Sequence, residues 1–170
     1  MAYVVLQQVS NKYAKSNAGK TLNKPVALKY LEKYFVPDKY HELQEKYPEG
    51  YVYIWGAKLE RHHQIPKMIP GQSLVLFRRS QRVFRVGVIK DLLVNLDLAL
   101  RLWGEDEHGE TWGIIYLMQQ IRDVSIDAAE INEAIGRKPS DNWQGMTSVE
   151  GEKAKAAINL VKKYIDEHKP

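Results

Sequence analysis

The run Ser73-Leu-Val-Leu-Phe-Arg-Arg-Ser-Gln-Arg-Val-Phe-Arg-Val-Gly-Val-Ile-Lys90 holds two apolar stretches on either side of a polar dipeptide. Val, Ile and Phe suit a pleated, partly buried surface, and Ser80-Gln81 supplies a turn, so the run predicts a hairpin of strands over 73–79 and 83–90. The second arm alternates Val and Phe with Arg and Gly, which is the pattern of a half-exposed strand. Four arginines, Arg78, Arg79, Arg82 and Arg85, gather near the tip.

Outward from the hairpin, more strands and a few helices follow. Upstream, Ile65-Pro-Lys-Met-Ile-Pro-Gly71 reads as a loop, Tyr51 to Ala57 as a strand, and Ala2 to Gln8 as a buried first strand. Ser10 to Lys24 reads as a polar loop. Asn23 can cap a helix entered at Pro25, with Leu28, Leu31 and Phe35 on one face, and Asp38 can cap a second one ending near Tyr47-Pro48. Downstream, the alternation of Leu96, Leu98, Leu100 and Leu102 has strand period, so Asn95 to Trp103 is expected to be extended. Trp112 to Asp123 is expected as one further strand. Asp127 can cap a short helix carrying Ile131 and Ile135 that stops at Gly136. Thr147-x-x-Glu150 has the form of a capping box for a last helix over about 148–168, with Ala154, Ala157, Ile158, Val161, Tyr164 and Ile165 as its apolar stripe. The expected architecture is mixed α+β: about six strands in a closed or nearly closed barrel, flanked by helices.

The chain has 170 residues, which is one domain's worth, and its helical insertion is expected over about 25–47. It contains no cysteine, which excludes a disulfide framework, a thiol nucleophile and thiolate zinc sites. No apolar run approaches the ~20 residues that span a bilayer, and the N-terminal residues lack the basic flank of a signal peptide, so a soluble cytoplasmic protein without a membrane partner is expected. The net charge of +4 conceals a strong asymmetry. Residues 51–90 hold eight basic residues against one acidic, a net of +7, and residues 91–130 hold two against nine, a net of −7. The basic block interleaves Arg61, Lys67 and the four hairpin arginines with Tyr51, Tyr53, Trp55, Phe77 and Phe84. Cations beside aromatic rings suit a polyanion whose bases can stack, and a solvated face is the bland alternative.

Several motifs weaken on inspection. Ala14-Lys-Ser-Asn-Ala-Gly-Lys-Thr21 ends like a phosphate-cradling loop, but Ala replaces its first glycine and Pro25 follows where a helix should be running; a flexible basic loop explains it better. His62-His63 has no partner at ligand spacing, so no metal is expected, and these imidazoles are placed at the surface. No nucleophile elbow supports a hydrolase. Glu105, Asp106, Glu107 and Glu110 read as a solvated acidic loop. Trp55, Trp103 and Trp112 stand out because each lies at a strand end or loop mouth, and the last two bracket one loop. Core packing is the ordinary fate of a single Trp, yet three so placed could wall a pocket for a flat methylated base.

Trp103 to Trp112 followed by Gly-Ile-Ile-Tyr-Leu-Met-Gln-Gln-Ile-Arg-Asp-Val-Ser125 is similar to the second half of YTH domains, where a Trp-bearing loop runs into a long strand. Tyr51-Val-Tyr-Ile-Trp55 resembles their earlier strand ending in a cage tryptophan. Ile69-Pro-Gly-Gln-Ser-Leu-Val-Leu-Phe77 with Phe84-Arg-Val-Gly-Val88 resembles the central hairpin of the EVE and PUA-like superfamily. The likeness spans about residues 50–165. It departs from the YTH pattern in a longer Trp103–Trp112 spacing, in Gly113 directly after the second Trp, and in a larger helical insertion. The resemblance implies a reader of modified bases, with N6-methyladenine flipped into a cage of Trp55, Trp103 and Trp112 and phosphates held by Arg61, Lys67, Arg78, Arg79, Arg82 and Arg85. Prokaryotic domains of this type stand at the N-terminus of McrB-type restriction subunits and select methylated DNA for a GTPase motor and a separate nuclease. It therefore implies a DNA-binding specificity domain with no cofactor and no catalysis of its own. An RNA reader of methylated adenine and a small PUA-like enzyme acting on modified nucleosides are the alternatives.

Overall fold

In the computed structural model, which describes residues 2–169, the first strand sets the layering. β1 (Tyr3–Gln8) lies between two neighbours: β4 (Leu74–Arg79) runs parallel to it, with Val4 opposite Leu74, and β9 (Met146–Glu150) runs antiparallel, with Val5 opposite Ser148. The strand is apolar on both faces because both faces are covered. Val4 and Leu6 join Leu76 in one core, and Val5 joins Val75 and Phe77 in another. The period of two thus divides one strand between two interiors.

The hairpin forms as expected, with β4 paired to β5 (Arg82–Val88) and Ser80 in the left-handed region at the turn. Its register shifts between Phe77 and Arg78, and again where β5 pairs with β8 (Ile121–Asp127), between Val83 and Arg85. The second irregularity lets Val83 and Val86, three residues apart, enter the same core. The five-stranded sheet has the order β8-β5-β4-β1-β9. A second sheet has the order β2-β3-β7-β6, formed by β2 (Val26–Ala27), β3 (Tyr51–Ala57), β6 (Asp91–Val94) and β7 (Ile114–Met118).

One face of the five-stranded sheet is covered by α4 (Ala128–Ala134) and α5 (Gly151–Glu167), burying Ile131, Ala154, Ala157 and Val161. Its other face packs on the second sheet, flanked by α1 (Lys12–Thr21), α3 (Leu96–Trp103) and a 3-10 helix over Leu28–Tyr34. α2 (Pro37–Lys46) is fastened by Tyr47, whose hydroxyl donates to Asp91 at 2.8 Å; burial, then that bond, pushes the phenol far above its ordinary pKa. Lys39 and Lys46 complete the charge balance at Asp91.

The mixed α+β class stands, and the barrel does not. The described residues form nine strands in two sheets, because the chain leaves the second sheet at Gln119-Gln120 and continues in the first as β8, which breaks the single strand expected over 112–123. Gly87 allows the join: a Cβ there would lie 2.9 Å from the Met118 sulfur.

Five local expectations are also corrected. The polar loop over 10–24 contains α1, capped by Asn11, whose Oδ1 accepts the Ala14 amide at 2.7 Å; its buried face is Ala14, Asn17, Ala18 and Thr21, too small and polar to register as an apolar stripe. The leucine alternation over 95–103 is α3, capped by Asn95 through the Leu98 amide at 2.9 Å. Leu96 and Leu100 are left exposed while Leu98, Ala99 and Trp103 are buried, and leucine's high helix propensity decides the conformation once a cap is present. The proposed capping box belongs to edge strand β9, so the last helix begins at Gly151. Finally, the insertion opens on β2 and a 3-10 turn rather than an α-helix, and the Ile65–Gly71 loop begins inside a 3-10 helix over Leu59–Lys67. Among the described residues no helix is long and apolar enough to cross a membrane.

Candidate functional site

Trp55 lies within β3, paired with Tyr116, Trp103 closes α3, and Trp112 precedes β7; the fold brings the three rings into one cluster. Trp55 and Trp112 have ring centroids 4.7 Å apart, and Trp103 and Trp112 are 5.1 Å apart, both inclined rather than parallel. Gly56 makes room for this: a Cβ there would sit 2.9 Å from the Trp103 ring and 2.7 Å from the Ile114 carbonyl. Phe77 from the hairpin meets Trp55 edge-on at 5.8 Å, and Tyr13 from α1 meets Trp112 at 5.2 Å. Trp55 and Trp103 are fully enclosed, and Trp112, 7% exposed, is the outermost of the three. A base stacked between two rings holds them apart by its own thickness, whereas these rings touch one another directly and at an incline.

The helix beside the cluster contributes residues that the sequence reading overlooked. Tyr13, Asn17 and Thr21 recur every four residues and so share one face of α1. Tyr13 touches Trp112 and donates to the Gly104 carbonyl at 2.8 Å; Thr21 donates to the Ile54 carbonyl at 2.7 Å and accepts from the Trp103 indole at 3.0 Å. Asn17 lies between them, wholly buried, and neither its Oδ1 nor its Nδ2 has a hydrogen-bond partner among the described residues. The indole Nε1 of Trp55 is also buried without a partner. An unpaired buried polar group costs about 1–3 kcal/mol, so three such atoms around one aromatic cluster call for an explanation. The signal was present as Asn11 capping a face of small residues, and Asn17 was hidden because a buried Asn has no periodic signature.

The loop joining Trp103 to Trp112 is braced. Asp106 accepts the amides of His108 and Glu110 at 2.8 and 3.0 Å, and Lys58, three residues after Trp55, bridges Asp106 and Glu110 at 3.2 and 3.3 Å. The Glu110 amide, with that of His108 and with Lys58, holds the Asp106 carboxyl below its ordinary pKa against the opposing effect of desolvation. Burial would lower Lys58, but its bonds to Asp106 and Glu110 outweigh that and raise it. The acidic loop is therefore a clamp on the tryptophan-bearing stems as well as a solvated surface.

The six basic residues expected to hold phosphates divide by environment. Arg78 is buried: its Nε donates to the Ser80 carbonyl at 2.8 Å, its Nη1 to the Asp141 carbonyl at 2.6 Å, and its guanidinium lies 5.1 Å from the Trp143 ring centroid. Burial lowers its pKa, and its role is structural, because these bonds tie the hairpin to the 137–145 loop. Arg85 is engaged with Asp123 at 2.8 Å and the Leu22 carbonyl, and Arg82 with the Ser125 carbonyl at 2.7 Å. Arg79 is exposed over Phe84 at 4.7 Å. Arg61 and Lys67 are half-buried on the second 3-10 helix, the first in its opening turn and the second at its end. His62 and His63 are exposed, and among the described residues no group of His, Asp and Glu could hold a metal ion. The Ala14–Thr21 motif lies within α1 and its first turn is capped by Asn11, so it forms neither a phosphate loop nor a flexible one.

No protein-family model matches the sequence, and no curated protein does. Among solved structures, the N-terminal domain of Thermococcus gammatolerans McrB bound to m5C DNA matches with a TM-score of 0.68 at 18% identity, covering 94% of this chain and 97% of that one. The YTH domain of Zygosaccharomyces rouxii MRB1, in complex with N6-methyladenosine RNA, gives 0.49 at 12% identity over 95% of this chain and 88% of its own. The ZmASCH protein of Zymomonas mobilis gives 0.46 at 11% identity, over 92% and 95%. The chain thus has the fold of the McrB N-terminal domain over 94% of its length.

Proposed function

We propose that this chain is a DNA-binding specificity domain that recognises a methylated base, N6-methyladenine, flipped out of the duplex into the cluster of Trp55, Trp103 and Trp112. The observation that carries the reading is the buried, unpartnered carboxamide of Asn17, on the α1 face between Tyr13, which meets Trp112, and Thr21, which bonds the Trp103 indole. A carboxamide offers one acceptor and two donor hydrogens, which complements the ring-nitrogen acceptor and amino donor on the pairing edge of adenine. N6-methylation leaves one amino hydrogen, so that pairing survives it, and the methyl group takes its place against an indole face.

The rings part for the base to enter. Trp112 is the wall placed to move, being the outermost of the three rings and the end of the loop that runs on from Gly104. Extrusion costs a few kcal/mol, offset by base–aromatic stacking at about 1–3 kcal/mol and by the hydrogen bonds Asn17 gains. Burying one methyl group contributes roughly 1 kcal/mol, which sets discrimination against the unmethylated base at about tenfold or less. In a McrBC-like restriction system this domain selects the site, and a GTPase motor and a nuclease subunit act on it.

5-Methylcytosine is the second reading, supported by the DNA in the structure of the McrB domain that shares this fold. Cytosine shows the same acceptor-and-amino edge, so Asn17 suits both. The test is a binding panel of duplexes carrying N6-methyladenine, 5-methylcytosine or neither, with matched RNA strands. The expected result is tightest binding to the N6-methyladenine duplex, with the preference lost in Asn17→Leu and Trp112→Ala variants that keep their far-ultraviolet circular dichroism and a cooperative thermal transition. Retention of the preference by both folded variants would overturn the cage assignment, and tighter binding to RNA would overturn the DNA reading.

A further inference from the structure

A cleft of about 250 Å³ lies away from the tryptophan cluster, lined by Arg61, Arg137, Asp141, Trp143, Gln144 and Thr147. We propose that it is a phosphodiester-binding subsite whose two cationic walls are Arg61 and Arg137. The inference rests on the nucleic-acid reading above for the identity of the ligand, and on separate residues for the site.

Two guanidinium groups from distant segments converge here. Among the described residues each makes one polar contact: Arg61 Nη2 donates to the Gln144 carbonyl at 3.2 Å, and Arg137 Nη1 lies 3.6 Å from Asp141 Oδ1. A guanidinium carries five N–H donors in a planar fork, so both keep donors for an anion's oxygens. With Asp141 ionised, the cleft has a net charge of +1. That balances the single negative charge of a phosphodiester, while the second charge of a free phosphate would face Asp141 uncompensated. Thr147 adds a hydroxyl.

The backbone beneath the cleft is held in a costly shape. Trp143, Gln144 and Gly145 are three consecutive left-handed residues, with φ of 68°, 37° and 85°. For a bulky residue such as Trp this is strained, and strain of this kind persists only where the surroundings enforce it, often at ligand clamps. The enforcement is visible: Asp141 accepts the Trp143 amide at 2.8 Å, the Trp143 indole donates to Asn132 at 2.6 Å, and the Gln8 amide donates to the Gly145 carbonyl at 2.8 Å. What the strain achieves is placement of the Gln144 carbonyl where it holds Arg61 over the cleft. Arg137 also lines a second cleft that contains Lys67, so it is shared between the clefts of Arg61 and Lys67.

The test compares Arg61→Gln, Arg137→Gln and the double variant with the wild type and with Lys155→Gln, an exposed lysine on α5. Affinity for methylated and unmodified duplex of one sequence is measured across a salt series, with thermal melting as the check on folding. The double variant is expected to lose about five- to tenfold in affinity for both duplexes equally, and its slope of log affinity against log salt to shrink by about 0.9, the value of one phosphate contact. Lys155→Gln is expected to change neither. An unchanged slope in the folded double variant, or a loss confined to the methylated duplex, overturns the subsite. If the slope shrinks while the wild type shows no preference for methylated DNA, the subsite stands and the base reading falls; preference with an unmoved slope gives the converse.

Discussion

Each interior of this molecule buries a tryptophan and an asparagine, and the two settings treat them in opposite ways. On the helix-covered side, Trp143 donates to Asn132 Oδ1 at 2.6 Å, while Asn132 Nδ2 donates to the carbonyls of Pro139 and Asp141 at 3.0 and 2.8 Å. Between the sheets, Asn17 and the Trp55 indole are just as buried and have no partners among the described residues. Folding alone accounts for the first set, because every polar atom is repaid within the chain. It does not account for the second, where burial costs stability and a ligand would recover it.

That contrast can be broken by experiment. The largest effect is expected for Trp143→Ala, which empties a well-packed site and unpairs Asn132: a loss of about 3–5 kcal/mol in urea unfolding. Asn132→Ala follows, at about 1–3 kcal/mol, because it orphans the indole and two carbonyls. Arg78→Met, on the same side, should also cost about 1–3 kcal/mol through the carbonyls of Ser80 and Asp141, whereas Arg79→Met should stay within about 0.5 kcal/mol. For Asn17→Leu the sign reverses: removal of two unpaired buried atoms should leave stability unchanged or raise it by about 1 kcal/mol while abolishing recognition of the methylated base. A clear loss of stability in Asn17→Leu would mean that the asparagine is structural after all and erase the contrast.

The smallest effect concerns the clamp on the tryptophan loop. Asp106 is held below the ordinary aspartate pKa, so its contribution is present above about pH 4 and is lost as pH falls through the depressed value. Lys58 is raised, so its contribution is complete below about pH 10 and is lost as pH climbs through the raised value. Near-ultraviolet circular dichroism of Trp103 and Trp112 should therefore be constant between about pH 5 and 10 and drift outside that window. Asp106→Asn should show no acid-side drift from this source.

Much of the scaffold is legible along the chain. The strand over Tyr51–Ala57, the hairpin about Ser80-Gln81 and the helix capped by Asp127 occur where their local chemistry puts them, since turn residues, caps and β-formers act over a few positions. The segment Asn95–Trp103 shows the limit. Alternating leucines satisfy a strand, yet the same residues place Leu98, Ala99, Leu102 and Trp103 on one side of a helix, and only the neighbouring elements choose between them.

The site divides along the same line. That Trp103 and Trp112 would meet follows from the loop they bracket, and positive charge concentrated in residues 51–90 is a property of the chain alone. Which of those cations is spent on the fold is not. Arg78 and Arg79 are neighbours of one chemical type, but strand alternation puts the first on the face of Leu76, over Trp143 in the helix-covered core, and leaves the second in solvent. Asn17 and Arg137 gained their roles in the same way. Residue type and spacing set propensity, charge and periodicity, whereas burial and hydrogen-bond satisfaction depend on partners far along the chain, as when Arg61 meets the carbonyl of Gln144.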